Sequence, residues 1–271
     1  MRKNIVITGS TDGIGLETAK ALLSQGHRVF LHGRQGDKLA RVHDQLAQQF
    51  GGQQVQACAA DMAELDQVRA CAERFVRDGQ TIDVLVNNAG VFKLASAMAH
   101  NGVDMRFMVN AVAPWVLTRA LRPVLADEAR VINLSSAAQA PVNLAALRGE
   151  QAIADDFSAY AQSKLALTMW SMEPERVGLR DGQSMVAVNP GSLLASKMVR
   201  EGFGAAGHDL AIGVRILARL ALSAEPIRSA AYFDNDAGDY ADPHDDALDR
   251  TRRLAVLEAI EWVAQQRVAP A

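Results

Sequence analysis

Short apolar runs rich in β-branched residues alternate with longer segments of helical period along most of this chain. Asn4–Thr8 (NIVIT) leads into a helix-like stretch ending near Gln25, and Arg28–His32 (RVFLH) into DKLARVHDQLAQQF. Next come QVQAC, a helical Glu64–Arg77, and Ile82–Asn87 (IDVLVN). A long helical tract over about 103–126 precedes Ala129–Ser135 (ARVINLS), a helix around Tyr160, and Ser184–Asn189 (SMVAVN). Strands apolar on both faces and separated by helices require a parallel sheet covered on two sides. The expected fold is therefore α/β, a single doubly wound sheet with helices on both faces. With no Pro/Gly-rich linker, repeat or low-complexity tract, one domain is expected over residues 1–271.

The first strand runs into TGSTDGIG, where Gly9, Gly13 and Gly15 are interleaved with Ser10, Thr11, Asp12 and Ile14. Glycine permits positive φ and lets main-chain amides approach a phosphate without an intervening Cβ. A helix opening near Gly13 adds unpaired N–H groups and a positive dipole end, the arrangement that holds a pyrophosphate. Its place on the first strand-to-helix turn of an alternating chain gives this loop its meaning. Further along, Ser158–Lys164 (SAYAQSK) sets Tyr160 and Lys164 four residues apart, on one helix face.

TGxxxGIG, then NNAG at Asn87–Gly90, then Tyr160-x3-Lys164 resemble the short-chain dehydrogenase/reductase superfamily, in order and separation across the whole chain. NGVDMRFMVNAVAPWVLT, VINLSS and YAQSKLAL most resemble its retinol-dehydrogenase-like and carbonyl-reductase-like branch. The resemblance implies a Rossmann-type fold and hydride exchange between a nicotinamide cofactor and a carbonyl or alcohol. By resemblance, Tyr160 passes the proton. A free phenol ionises near pH 10, so a neighbouring Lys164 ammonium is expected to favour the phenolate and lower that value. Lys164 would also bond the nicotinamide ribose. Ser136 matches the serine that contacts the substrate oxygen, with Ser135 as its rival. Asn110 matches the asparagine that holds a water linked to the lysine. Asn88, Ala89 and Gly90 would line the adenine-ribose side, although the Asn88 amide could instead brace the sheet.

Cofactor choice is read at the end of the second strand. NAD-specific relatives carry an acid at the position of Gly33. Here that carboxylate is absent, and Arg34 brings a guanidinium suited to a 2′-phosphate. The glycine loop itself lacks the basic residue that many NADP relatives place there. NADP is expected, with NAD as the alternative. Asp61 and Met62 look like the pair that contacts adenine, and Pro190 and Gly191 like the turn beside the nicotinamide, with Ser196 near the usual threonine. A lid is expected over about 192–210, where Gly202, Gly204 and Gly207 accompany Leu193, Leu194, Met198, Val199 and Phe203.

Ser136 and Tyr160 are further apart than in compact members. The extra LAALRGEQAIADDF is too polar to be core, which leaves the substrate open. The acidic YFDNDAGDYADPHDDAL reads as a structural edge before the last helix. Net charge is −3, and no basic run is longer than Arg252-Arg253, so no nucleic-acid partner is expected. No stretch reaches the roughly 18 apolar residues of a membrane helix, and the apolar run near Met1 is too short for a signal peptide. Two cysteines, Cys58 and Cys71, without CxxC spacing fit a reducing cytosol better than a disulfide framework. A cytoplasmic protein with a small carbonyl or alcohol substrate, and no membrane partner, is expected. No metal-ligand cluster is present. Relatives pair through the helix bearing Tyr-x3-Lys and the long helix before the fifth strand. Here Ala161, Leu165, Thr168, Met169 and Met172 could form the stripe of a homodimer, with Pro174 ending or kinking the helix early. The rival readings are a dinucleotide-binding regulator without turnover and a nucleotide-sugar epimerase, which shares Tyr-x3-Lys but usually has a longer C-terminal domain.

Overall fold

Alternate residues of the central strands feed two separate cores. Ile5, Ile7, Val84, Val86, Ile132 and Val186 face one side of the sheet, and Val6, Leu85, Val131 and Met185 the other. The computed structural model describes residues 1–34, 36–99, 102–192, 194 and 207–266. Among these, the strands are β1 (Asn4–Ile7), β2 (Arg28–Gly33), β3 (Val55–Ala59), β4 (Ile82–Asn87), β5 (Leu125–Leu134), β6 (Ser184–Asn189), β7 (Ala231–Asp234) and β8 (Asp239–Ala241). They form one sheet in the order β3-β2-β1-β4-β5-β6-β7-β8. All pairs are parallel except β7–β8. The chain reverses direction across the sheet between β1 and β4, the switch point where such folds bind ligands.

The helices are α1 (Gly13–Ser24), α2 (Asp37–Phe50), α3 (Leu65–Arg77), α4 (Met105–Phe107), α5 (Ala113–Leu121), α6 (Leu144–Leu147), α7 (Asp156–Ser171), α8 (Pro174–Val177), α9 (Ala211–Leu222), α10 (Asp245–Leu248) and α11 (Arg250–Gln265). None of them is long and apolar enough to cross a membrane. Alternating helix and strand, as expected from the sequence, hold through β6.

Four expectations are corrected. The tract at 103–126 is not one helix: α4 passes into a π-helical turn, Met108–Val112, before α5, and a 3₁₀ turn, Arg122–Val124, ends it. Pro114 has no N–H to offer the Asn110 carbonyl four residues back, so the α-helical ladder is interrupted there. The insertion before Tyr160 is not wholly polar surface, since Ala146 and Leu147 of α6 are buried. The acidic segment holds a hairpin, β7–β8, that extends the sheet. Cys58 of β3 and Cys71 of α3 are joined as a disulfide, their Cα atoms 6.2 Å apart, within the usual span of such bonds. Two free thiols are thus not what the chain carries, and the cysteine argument for a reducing compartment falls. Of the segment expected as a lid, Leu193 and residues 195–206, with Ser196, Met198, Val199, Gly202, Phe203 and Gly204, lie outside the described residues, while Leu194 is buried and bridges His208.

The apolar stripe on α7 is used inside the chain. Ala161, Leu165, Thr168 and Met169 are buried, and α11 packs along α7 and α5. Glu173, itself buried, accepts from Arg253 Nε of α11 at 2.7 Å, and Glu261 lies 3.8 Å from Arg119 of α5. Met172, the last residue of the stripe, is half-buried. Pro174 falls beyond α7 and opens α8 instead.

The amino end of α7 is set by a buried ion pair. Arg106, 1% exposed, reaches Asp104 with two nitrogens, Nε to Oδ1 at 2.9 Å and Nη2 to Oδ2 at 2.6 Å. Its third nitrogen donates to Asp156, the first residue of α7. Arg106→Met would leave the Asp104 carboxylate buried and unpaired, so urea unfolding should show a loss of about 3–5 kcal/mol. The double variant with Asp104→Asn should recover at least half of it. A loss below about 1 kcal/mol for Arg106→Met would mean that the pair does not anchor the helix.

Candidate active site and cofactor cleft

The glycine loop leaves β1 with Gly9 at φ +64° and Gly13 at φ +53°, conformations that favour glycine. A Cβ on Gly15 would lie 2.4 Å from Asn88 Nδ2 and 2.6 Å from the Gly9 carbonyl, so the loop folds tightly on itself. Asp12 caps α1, accepting from Gly13 N at 2.8 Å. The following N–H groups of the first turn have no partner within the helix, which is what an anion at this place needs. Ser10 is fully buried and exchanges hydrogen bonds with the main chain of His32, so its side chain braces β2 and is not available as a ligand. Ile14 and Gly15 lie in the first turn of α1.

Beside the loop, His32 accepts from Gly9 N through Nδ1 at 3.2 Å, which puts its proton on Nε2. That Nε2 is buried without a hydrogen-bond partner. Burial drives the imidazole down to about 4, so the ring is neutral. Gly33 closes β2, and a Cβ there would meet Thr11 Cγ2 at 2.8 Å. An acidic side chain cannot be added without displacing Thr11. Arg34 is exposed immediately after it. Lys38, from the start of α2, sits 2.6 Å from Asp12 Oδ2 and so brings a cation to the glycine loop. Sequence reading missed Lys38, because it belongs to the next helix and not to the loop motif. The only signal was a basic residue in the first turn of α2.

At the end of β3, Asp61 caps its own turn by accepting from Ala63 N at 2.9 Å, and its main-chain N–H donates to Gln67. Met62 is buried in the core, so it presents no free side chain to a ligand. At the end of β4, Asn88 Nδ2 donates to the carbonyls of Thr8 and Gly9, and the N–H groups of Asn88 and Ala89 donate to Thr8 Oγ1. Asn88 thus braces the β1–β4 junction, and Thr8, which sequence reading passed over, is the hub of that brace. Gly90 follows in the same half-buried loop.

The serine, tyrosine and lysine meet past the end of β5. Lys164, 4% exposed, donates from Nζ to the Leu134 carbonyl at 2.7 Å. Two of its three donors remain, and Nζ lies 5.7 Å from the centre of the Tyr160 ring. The Ser136 side chain lies beside Tyr160, where it favours the ionised phenol. Ser135, by contrast, is bound to Thr168 Oγ1 at 2.6 Å and to the Lys164 carbonyl, which assigns the free serine position to Ser136. Burial pushes the Tyr160 phenol up, with Ser136 opposing, and pushes Lys164 down to about 8. The expected lowering of the phenol by the lysine is not found: burial raises it, and Ser136 is the group that opposes. At neutral pH both groups hold their protons.

Asn110 lies in the π-helical turn, and its side chain is fully engaged. Its Oδ1 accepts from Val91 N at 2.8 Å, while Nδ2 donates to the Val91 carbonyl and to Ser163. A link from Asn110 to Lys164 through water would therefore use its main-chain carbonyl, the one that Pro114 cannot satisfy.

The last wall follows β6. Pro190 is buried, and Gly191 has φ +121° with its N–H donating to Asn189 Oδ1. Asn235 Nδ2 donates to the Pro190 carbonyl at 2.9 Å, and Asp236 accepts from Ser192 N. Phe92 packs 5.0 Å from the Tyr160 ring and 6.4 Å from that of Phe157, which is 46% exposed on α7. Neither aromatic was identified from the sequence, since one lies in a loop and the other at a helix start. The glycine turn, the open α1 terminus and the side-chain-free Gly33 together fit a dinucleotide phosphate and ribose.

The family model described as short chain dehydrogenase matches residues 3–204. The chain is 33% identical to Retinol dehydrogenase 11 of Homo sapiens over 73% of its own length and 63% of that protein's. It is 31% identical to Polyprenol dehydrogenase of Homo sapiens over 69% and 59%. It therefore spans somewhat less than two thirds of the curated relatives it matches. Among solved structures, an uncharacterized protein from Mycobacterium Paratuberculosis superposes with a TM-score of 0.78 at 25% identity, over 97% of this chain and 93% of that one. The motifs, the sheet order and these matches agree: the chain belongs to the short-chain dehydrogenase family, in its retinol-dehydrogenase-like branch.

Proposed function

We propose that this protein is an NADP-linked oxidoreductase that interconverts a carbonyl and an alcohol, with Tyr160 as proton donor and acceptor. The observation that carries this reading is the contact of Ser136 with Tyr160, with Lys164 held beside both by the Leu134 carbonyl. When bound, a reduced nicotinamide supplies the hydride to the carbonyl carbon. The Ser136 hydroxyl orients the substrate oxygen, and Tyr160 passes its proton to that oxygen as the carbon–oxygen π pair is released. Because burial keeps the phenol protonated, the resting site is poised as an acid, which favours reduction. Lys164 holds the ribose with its remaining donors, and its positive charge steadies the phenolate left behind. The Asn110 carbonyl would link Lys164 through water to solvent for reprotonation.

Gly9 to Gly15 would cradle the pyrophosphate, Asn88 to Gly90 the adenine ribose side, and Pro190-Gly191 the nicotinamide. Asp61, whose main-chain N–H and carbonyl are engaged by Gln67 and Glu64, would face adenine with its carboxylate. NADP is favoured over NAD because Gly33 cannot carry an acid without moving Thr11, and because Arg34 and Lys38 are both at hand for a 2′-phosphate. Phe92 and the exposed Phe157 beside Tyr160 suit a substrate with an apolar body, and the names of the retinol and polyprenol relatives agree with that class. The cytoplasm is kept as the proposed compartment.

Three measurements test this. Arg34→Ala and Lys38→Ala should each weaken NADPH binding about tenfold, the worth of a charge-assisted hydrogen bond, and leave NADH nearly unchanged. Equal losses for both cofactors would point to NAD. Tyr160→Phe should lower kcat for NADPH-linked reduction of apolar aldehydes by a factor of about 10²–10⁴ while NADPH titration stays normal. Near-normal turnover would remove Tyr160 from the chemistry. The pH profile of kcat should be flat near neutrality and decline as pH rises through about 8, where Lys164 loses its proton. A profile level to pH 10 would mean that the ammonium is not required.

A further inference from the structure

We infer that Tyr232, in the β7–β8 hairpin, is a positioning residue that fixes Ser136 for the reaction by holding its peptide carbonyl. The inference rests on the role proposed for Ser136. The Tyr232 hydroxyl donates to the Ser136 carbonyl at 3.2 Å. This contact crosses a whole strand, because β6 lies between β5 and β7. In the sheet register Tyr232 stands beside Ala187, and Ala187 beside Asn133, so all three share a face. An alanine at the middle position leaves room for the ring to reach over β6.

The second lone pair of the same carbonyl takes Gln139 Nε2 at 3.0 Å. Gln139 is in turn held through Oε1 by the N–H of His244, in the segment after β8. Both donors on the Ser136 peptide thus depend on chain that follows β6 and lies beyond the family motifs. The Tyr232 ring is buried, and burial with the nearby Asp234 carboxylate raises its phenol against the Gln139 side chain, which touches the hydroxyl, so Tyr232 stays a donor throughout the working pH range and acts with Gln139 as a pair. Ser136 needs such an anchor: it has left the strand ladder, and its half-buried side chain accepts from the Ala138 N–H at 3.1 Å. A serine whose peptide can rock presents its hydroxyl to Tyr160 and to the substrate oxygen for only part of the time. The same hairpin holds the other wall, through Asn235 on the Pro190 carbonyl and Asp236 on Ser192, so β7 sets the two walls relative to each other.

The experiment is a double-mutant cycle with Ser136→Ala, read in NADPH-linked reduction of apolar aldehydes. Tyr232→Phe removes one oxygen and leaves the ring. It should lower kcat about tenfold, with KM and the NADPH Kd unchanged within about twofold and the melting temperature shifted by only a few degrees. In the Ser136→Ala background the same change should cost less than about twofold. Gln139→Leu, which removes the second donor, should behave alike and serves if Tyr232→Phe fails to fold. Unchanged kcat in Tyr232→Phe, or an equal loss in both backgrounds, would overturn the positioning role and leave the proposed function standing. Near-normal turnover in Ser136→Ala alone would instead overturn the role of Ser136, and this inference with it.

Discussion

The site depends on the polar contacts by which α7 is keyed to the sheet beneath it. Every residue of α7 from Ala159 to Ser171 is buried, so the helix has no solvated face to fix its rotation. Its polar side chains do so instead. Lys164 bonds the Leu134 carbonyl, Thr168 bonds Ser135, and Ser171 accepts from Asn133 at 2.8 Å, all three on the side toward β5. On other sides Gln162 accepts from Asn143 N and Ser163 from Asn110. Each group left unpaired in such surroundings would cost about 1–3 kcal/mol. A slip or rotation of α7 would break several bonds at once, so Tyr160 is held to a single position.

The same burial sets the protonation states, and function and stability pull on Lys164 in opposite directions. Its folded value, about 8, lies below the ordinary value of 10.5, so the unfolded chain binds more protons between those two pH values. Stability therefore rises with pH over that window, and the cost of burying the ammonium is present in full below about 8. That is also the range in which the proposed chemistry needs the charge. The Leu134 carbonyl reduces this cost without neutralising the group, because it accepts a hydrogen bond and carries no opposing charge. A carboxylate in its place would hold the lysine more firmly but cancel the field that favours the phenolate.

β3, half-exposed at the sheet edge, was marked by its place between two helices; periodicity sufficed for β1, β2, β4 and β6 and for the 129–134 half of β5 because those runs are largely apolar on both faces. It failed at β7 and β8, where AYFD and DYA are short and acidic: there pairing, not burial pattern, makes the strand. It failed again at 103–126, where apolar residues continue in helical period through a π turn that only Pro114 betrays. Motif spacing located Ser136, Tyr160 and Lys164, which the fold brings together. It could not say what each loop side chain does, because that depends on neighbours distant in sequence. Ser10, Met62, Asn88 and the Asn110 amide stand where the motifs place them, yet their side chains serve the protein's own packing. Lys38, His32 and Tyr232 bear on the site from neighbouring elements and belong to no motif.

Assembly follows from the same accounting of faces. The stripe from Ala161 to Met169 reads as a contact surface because small and apolar residues recur at helical spacing, and it is one. Its partner is in the same chain. Val256, Leu257, Ile260 and Val263 of α11 join the core that contains the stripe, and Glu173 and Arg253, both largely buried, lock the helix there. A pair of this kind is costly to break on one side only, so α11 is held against α7. A helix pattern in sequence can say that a face is covered, but not by which chain, because intramolecular and intermolecular packing ask for the same residues.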